Sequence, residues 1–302
     1  MKKFLSRLAL YFFILLSLYS GYLTLTGILL SNNNLYKLPT SKTTLLLGDS
    51  HTADGVIDSS LTHLVNLSHP ADAYLYSYRK LTKILAANPH INTVIIGIGS
   101  HNIQQFMEHE FLYKNGYTQE KIRNYYQIMT VEDFSFLLRK TPDQVIKGLV
   151  SIPKIKSTVT NKILFSHGTA TLHDLNIGSY SYLKTVIDIN KNKTGVQNRI
   201  NNKEDLLATS QWQIDYLQKM VQLCQQKNIR ILLLRMPEHK LFRKPNEQIF
   251  QSFLAHNYPQ LPFIDLINLP LADSCFFDMD HLNYHGAIIT TDTLSKILDT
   301  YK

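Results

Sequence analysis

Thr43-Thr44-Leu45-Leu46-Leu47-Gly48-Asp49-Ser50 is an apolar run stopped by a tight-turn triplet. A strand buried on both faces of a parallel sheet reads this way, because neither face meets water and no polar alternation is needed. Outward from it the same element recurs in His63-Leu64-Val65-Asn66-Leu67, Thr93-Val94-Ile95-Ile96, Ile231-Leu232-Leu233-Leu234 and Phe263-Ile264-Asp265-Leu266. Helical spacings lie between these runs. Ala71 to Ala87 carries Tyr74, Leu75, Tyr78, Leu81 and Leu85. Leu206, Leu207, Ile214, Leu217, Val221 and Cys224 predict a long amphipathic helix, and Gly286 to Leu298 a closing one. Strands alternating with helices predict an α/β fold whose parallel five-stranded sheet is covered on both faces.

The stretch from Phe106 to about Asn201 breaks that rhythm. It holds helical patches at Val131–Leu138 and Pro142–Leu149, and an insertion of this length reads either as a lid or substrate face, or as a cap completing the core. Tyr113, Tyr117, Tyr125, Tyr126, Tyr180 and Tyr182 within it suit sugar stacking or plain packing.

At the amino terminus, residues 1–7 are basic through Lys2, Lys3 and Arg7, and Leu8 to Leu30 is a run of 23 residues without a charge. That length crosses a bilayer as a helix, and the basic flank predicts a cytoplasmic terminus with the rest of the chain outside. A cleaved signal peptide is the competing reading. The run exceeds a usual signal core and no small-residue cleavage site follows, so an uncleaved anchor is expected. Residues 31–40 read as a polar tether to a folded domain spanning 41–302.

Composition narrows the function classes. Hydrophobic residues make up 44% and charged residues 18%, with 12 Gly and 10 Pro, which excludes disordered and collagen-like chains. The net charge of +8 is spread without a long Lys/Arg stripe, so no nucleic-acid partner is expected. Cys224 and Cys275 are expected as buried thiols rather than a bridge.

Sites in open parallel sheets form beyond the carboxyl ends of the strands. There this sequence places Gly48-Asp49-Ser50-His51, Gly97-Ile98-Gly99-Ser100-His101-Asn102, Arg235-Met236-Pro237-Glu238-His239 and Asp278-Met279-Asp280-His281. A serine hydroxyl becomes a nucleophile when an imidazole accepts its proton and a carboxylate fixes that imidazole. Ser50, His281 and Asp278 supply the set. Oxyanion donors are expected from the Ser50 backbone N–H, a backbone N–H at Ala71 or Asp72, and the Asn102 amide. His51, His101, Glu238 and His239 are candidate substrate contacts, with His101 the alternative to Asn102. Asp280 reads as a turn residue and His285 as solvent-facing. His281 and His285 beside Asp278 and Asp280 have helical spacing for a metal, but no paired metal motif accompanies them, so neither metal nor cofactor is expected.

These residues resemble the SGNH/GDSL hydrolase superfamily. Gly48-Asp49-Ser50 matches its first block and Asp278-Met279-Asp280-His281 its last, over about residues 43–105 and 205–300. The middle blocks depart from the pattern, since the second lacks its Gly and the third is Gly99-Ser100-His101-Asn102. The resemblance implies a three-layer α/β/α sandwich with flavodoxin-like strand order, and acyl transfer or ester hydrolysis through a Ser-His-Asp triad. Membrane-anchored members are similar to proteins handling O-acyl groups of envelope polysaccharides. The implied partners are an acylated carbohydrate or cell-envelope glycan, the membrane through the N-terminal helix, and a membrane-bound acyltransferase. A non-catalytic scaffold and a lipid esterase are the rival expectations.

Overall fold

The computed structural model describes residues 1–114, 116–165, 170–187, 208–242 and 246–301. Five strands, β1 (Thr44–Leu47), β2 (Leu64–Asn66), β3 (Thr93–Gly97), β4 (Arg230–Arg235) and β5 (Phe263–Asp265), form one parallel sheet in the order β2-β1-β3-β4-β5. The α/β class and strand order agree with expectation. Because both faces are covered, consecutive strand residues feed different cores. Leu45, Leu47, Val94, Ile96, Ile231 and Leu233 join one apolar cluster, while Leu46, Ile95, Leu232 and Leu234 join the other.

The α-helices of the described residues, in chain order, are α1 (Lys2–Leu30), α2 (Ser50–Gly55), α3 (Tyr74–Ala87), α4 (Tyr117–Tyr125), α5 (Val131–Lys140), α6 (Pro142–Phe165), α7 (Gln211–Gln226), α8 (Glu247–Asn257) and α9 (Tyr284–Asp299). On the first face, α3 and α7 bury Leu75, Leu81, Leu217 and Met220. On the second, α9 contributes Leu294. The helix expected from Ala71 begins three residues later, because Ala71 sits at φ 58°, outside right-handed helical space. Ser210 caps α7 by accepting the Gln213 N–H; Leu206 and Leu207, like residues 188–201 of the insertion, lie outside the described residues. Cys224 and Cys275 are free buried thiols.

The insertion joins the core. Ile122, Tyr125, Leu137, Val145, Ile152 and Val159 of α4–α6 belong to the same cluster as the first sheet face. Its return segment runs past the ends of β1 and β2. Ser179 donates to Ser68 O at 3.1 Å, Ser181 to Ala53 O at 2.8 Å and Ile187 to Phe276 O at 2.9 Å, while Tyr284 donates to Leu183 O at 2.8 Å.

Helix α1 is long and apolar enough to cross a membrane. Its far end is held on the insertion, where Tyr19 Oη donates to Leu149 O at 2.6 Å and Tyr126 Oη to Thr26 Oγ1 at 2.8 Å. Within residues 31–40, Asn33–Tyr36 form a short 3-10 helix. Leu35 and Tyr36 are buried in the main cluster, and Tyr36 Oη donates to Leu30 O at 2.9 Å.

Candidate active site

The end of β1 sets the position of Ser50. A Cβ on Gly48 would lie 2.3 Å from Thr52 Oγ1 and 3.3 Å from Gly97 Cα, so only glycine lets β1 and β3 end this close together. Asp49 then caps α2, its Oδ1 accepting the His51 N–H at 3.0 Å, which leaves Ser50 as the first residue of the short helix. The second partner comes from the turn before α9. Asp278 Oδ1 accepts the backbone N–H groups of Asp280 at 2.9 Å and His281 at 2.8 Å, so the carboxylate shapes the turn that presents the imidazole.

The two segments meet. His281 Nε2 lies 2.8 Å from Ser50 Oγ, and His281 Nδ1 lies 2.9 and 3.0 Å from the two Asp278 oxygens. Burial alone would lower the His281 pKa. Hydrogen bonds to Asp278 and Asp280, with their charges, override it and hold the ring well above its ordinary value. Asp280 is more than a turn residue, since its Oδ1 lies 3.4 Å from His281 Nδ1.

Among the described residues, no acceptor engages the backbone N–H of Ser50 or Ala71, and both residues line the cavity that contains His281. The left-handed Ala71 occupies a backbone conformation glycine favours, where the sequence resemblance lacks its glycine. Two expected oxyanion donors are otherwise engaged. The Asp72 N–H donates to His69 O at 3.1 Å. Asn102 gives its amide nitrogen to Asp49 Oδ2 at 2.7 Å, accepts the Gly99 N–H at 2.7 Å, and does not line the cavity.

His101 lines it instead, with Nε2 2.6 Å from Asp49 Oδ2. Burial opposes its protonation, but the Asp49 charge and hydrogen bond raise its pKa. The His51 ring stacks 4.3 Å from His101 and sits 5.0 Å from His281, centroid to centroid. Burial, then the His101 charge, pushes the His51 pKa down to about 3, which keeps this ring neutral. Glu238 is buried and lines the cavity. His239 does not; its Nε2 faces Asp273 at 3.2 Å and its Nδ1 accepts the Leu241 N–H, which makes it a loop-ordering residue rather than a substrate contact.

Pattern reading missed several residues. Asp54 of α2 lines the cavity at 5% exposure, and burial lifts its carboxyl to about 7. The loop carrying Ala71 is pinned from below by Asp72, whose carboxylate lies 2.7 Å from both Lys80 Nζ and Lys121 Nζ with none of the three side chains exposed. Lys121 also donates to Pro70 O and His69 Nδ1, and Tyr125 Oη donates to Asp72 at 3.1 Å. Lysines on the apolar stripes of α3 and α4, Lys80 beside Leu81 and Lys121 beside Ile122, were the available signal. Of the six insertion tyrosines considered for sugar stacking, Tyr117 alone lines this cavity; Tyr125 and Tyr126 are core.

Among the described residues, two groups have ligand atoms close enough to hold a cation, Asp49–His51–His101 and His51–Asp280–His281. In both, carboxylate and imidazole already pair with one another. His285 belongs to neither and is exposed.

Fold and site together define an α/β protein with a serine, an imidazole and a carboxylate in hydrogen-bonded sequence at the carboxyl edge of its sheet. A family model that carries no description matches residues 181–301. No curated protein matches the sequence. Among solved structures, a chain from Streptococcus pneumonia provisionally described as a platelet activating factor is 12% identical at TM-score 0.41, covering 93% of this chain and 98% of that one. A chain from Bacteroides fragilis NCTC 9343 provisionally described as an acylhydrolase is 10% identical at TM-score 0.38, covering 89% and 93%. Likenesses this distant do not bear on the chemistry.

Proposed function

We propose that this chain is a serine-dependent acyl-ester hydrolase or O-acyltransferase of the SGNH/GDSL kind, anchored by α1 and acting on acylated envelope polysaccharide outside a membrane. The observation that carries the reading is the unbroken relay Ser50 Oγ, His281, Asp278 at the floor of a cavity. Ser50 Oγ attacks the ester carbonyl carbon while His281 Nε2 takes its proton. The oxyanion meets the Ser50 and Ala71 N–H groups. Collapse breaks the carbon–oxygen ester bond, and His281 returns the proton to the departing alcohol. Water then resolves the acyl-serine to an acid, or a sugar hydroxyl resolves it to a new ester.

The test compares O-acyl content of surface polysaccharide in cells carrying wild type or Ser50→Ala. A changed content supports the reading, its direction separating hydrolase from transferase; identical content contradicts the polysaccharide assignment. The engagement of Asn102 with Asp49 favours a second reading, a scaffold that binds glycan or a membrane acyltransferase without turnover. Such a scaffold leaves Ser50 unreactive.

The pH profile follows from His281. Acylation needs the neutral ring, so kcat/KM should rise with pH through a midpoint above the ordinary imidazole value of about 6.5. Asp278→Asn should shift that midpoint downward and lower kcat by about 10⁴-fold. A profile that is flat, or has its midpoint below that of free imidazole, counts against the assignment. Stability moves the other way. The raised folded pKa gives a contribution fully present below the unfolded value and lost as pH rises through the folded one.

A further inference from the structure

The cavity above Ser50 holds about 410 Å³. Among the described residues, its large apolar side chains come from four stretches: Phe106, Met107 and Phe111 at the entry of the insertion, Leu183 on its return, Phe242 after β4 and Phe277 after β5. Most of the surface they present is carbon, and Phe106 and Phe111 meet edge to face at 5.8 Å. Polar side chains line the same cavity, around Ser50 and His281 and also at Gln104, Tyr117, Ser181, Glu238 and Asn246.

Size and lining both disagree with a two-carbon acyl group. A dry apolar cavity of roughly 150 Å³ accommodates benzene, so this volume suits a chain on the order of six to twelve carbons. An acetyl group would leave the aromatic walls facing water, giving up the burial that such walls supply. Chains far from one another in sequence converge to build this lining, and the insertion supplies more than half of the named apolar residues. That gives the insertion a specificity role in addition to its core packing.

We propose that the acyl group is a medium-length hydrocarbon chain, seated among these six residues with its carbonyl at Ser50 and its alcohol at the cavity mouth. The inference rests on Ser50 acting as the nucleophile. Full-length protein in detergent is assayed on 4-methylumbelliferyl acetate, butyrate, octanoate and hexadecanoate, with fluorophosphonate labelling in parallel. From acetate to octanoate, kcat/KM should rise about two- to fourfold per methylene and should fall once the chain outgrows the cavity. Leu183→Trp, which fills the space, should lower the octanoate-to-acetate ratio at least tenfold; Phe111→Ala, which enlarges it, should move the optimum to longer chains. Comparing the octanoate-to-acetate ratio of each variant with that of wild type in the same detergent cancels substrate partition. Acetate turned over as well as octanoate by a labelled enzyme, or a ratio that neither variant moves, overturns the hydrocarbon assignment and leaves the serine mechanism standing. Absence of both labelling and turnover overturns the serine mechanism and this inference with it.

Discussion

Replacing Ser50 with alanine is expected to lower ester turnover by roughly 10⁴- to 10⁶-fold, the loss typical when a triad nucleophile is removed. The size follows from the relay. Without Oγ there is no acyl-enzyme, and His281 has nothing to deprotonate at 2.8 Å. The residual rate, supplied by water attacking a carbonyl held against the Ser50 and Ala71 N–H groups, keeps those donors in place because they are backbone. Thermal stability should hardly change, since Ser50 Oγ is a partly exposed group at the cavity floor. Kinetics and a melting curve on the same preparation check both halves. A loss of less than tenfold would mean that the hydroxyl is a bystander.

Asp72→Ala is expected to have the largest effect on stability. It strands two ammonium groups, Lys80 and Lys121, whose side chains have no exposed surface. Breaking a buried ion pair by removing one partner costs about 3–5 kcal/mol, a large share of the roughly 5–15 kcal/mol that holds a domain folded. For a chain of this size the melting temperature should fall by roughly 10 °C. Lys80→Met and Lys121→Met combined with Asp72→Leu should recover much of the loss, because an apolar set of similar volume needs no counter-charge. The pH sign is fixed as well. Burial would raise the Asp72 pKa, but Lys121 and Lys80 hold it below the usual range, so its contribution is present above the unfolded carboxylate value and lost as pH falls below about 4. An Asp72→Ala melt within a degree of wild type would contradict this.

Much of the frame was readable because both-face burial leaves unbroken apolar runs. Leu45-Leu46-Leu47, Val94-Ile95-Ile96 and Ile231-Leu232-Leu233-Leu234 became β1, β3 and β4 for that reason. Ser50, Asp278 and His281 were readable because turn chemistry and nucleophilic chemistry demand the same few residue types after a strand. What stayed hidden depends on partners distant in sequence. Nothing local marks Ala71 as left-handed; its φ is set by a loop whose Asp72 is held from α3 and α4. The Asn102 amide is occupied by Asp49, 53 residues away in the chain, and by the Gly99 N–H. Helix α4 went unread because its buried face carries Lys121, Thr118 and Asn124 beside Ile122 and Tyr125, and only the neighbouring chain makes that face apolar enough to bury. The apolar cavity walls are drawn from stretches far apart in the sequence, so no single segment announces them.

The most direct measurement is a fluorophosphonate reaction on the full-length protein followed by peptide mapping. One covalent phosphonate on the peptide bearing residue 50, lost in Ser50→Ala and slowed in His281→Ala, is the expected result. A folded wild-type protein that takes up no label, or takes it on another peptide, would contradict the nucleophile assignment and leave the α/β fold without this chemistry.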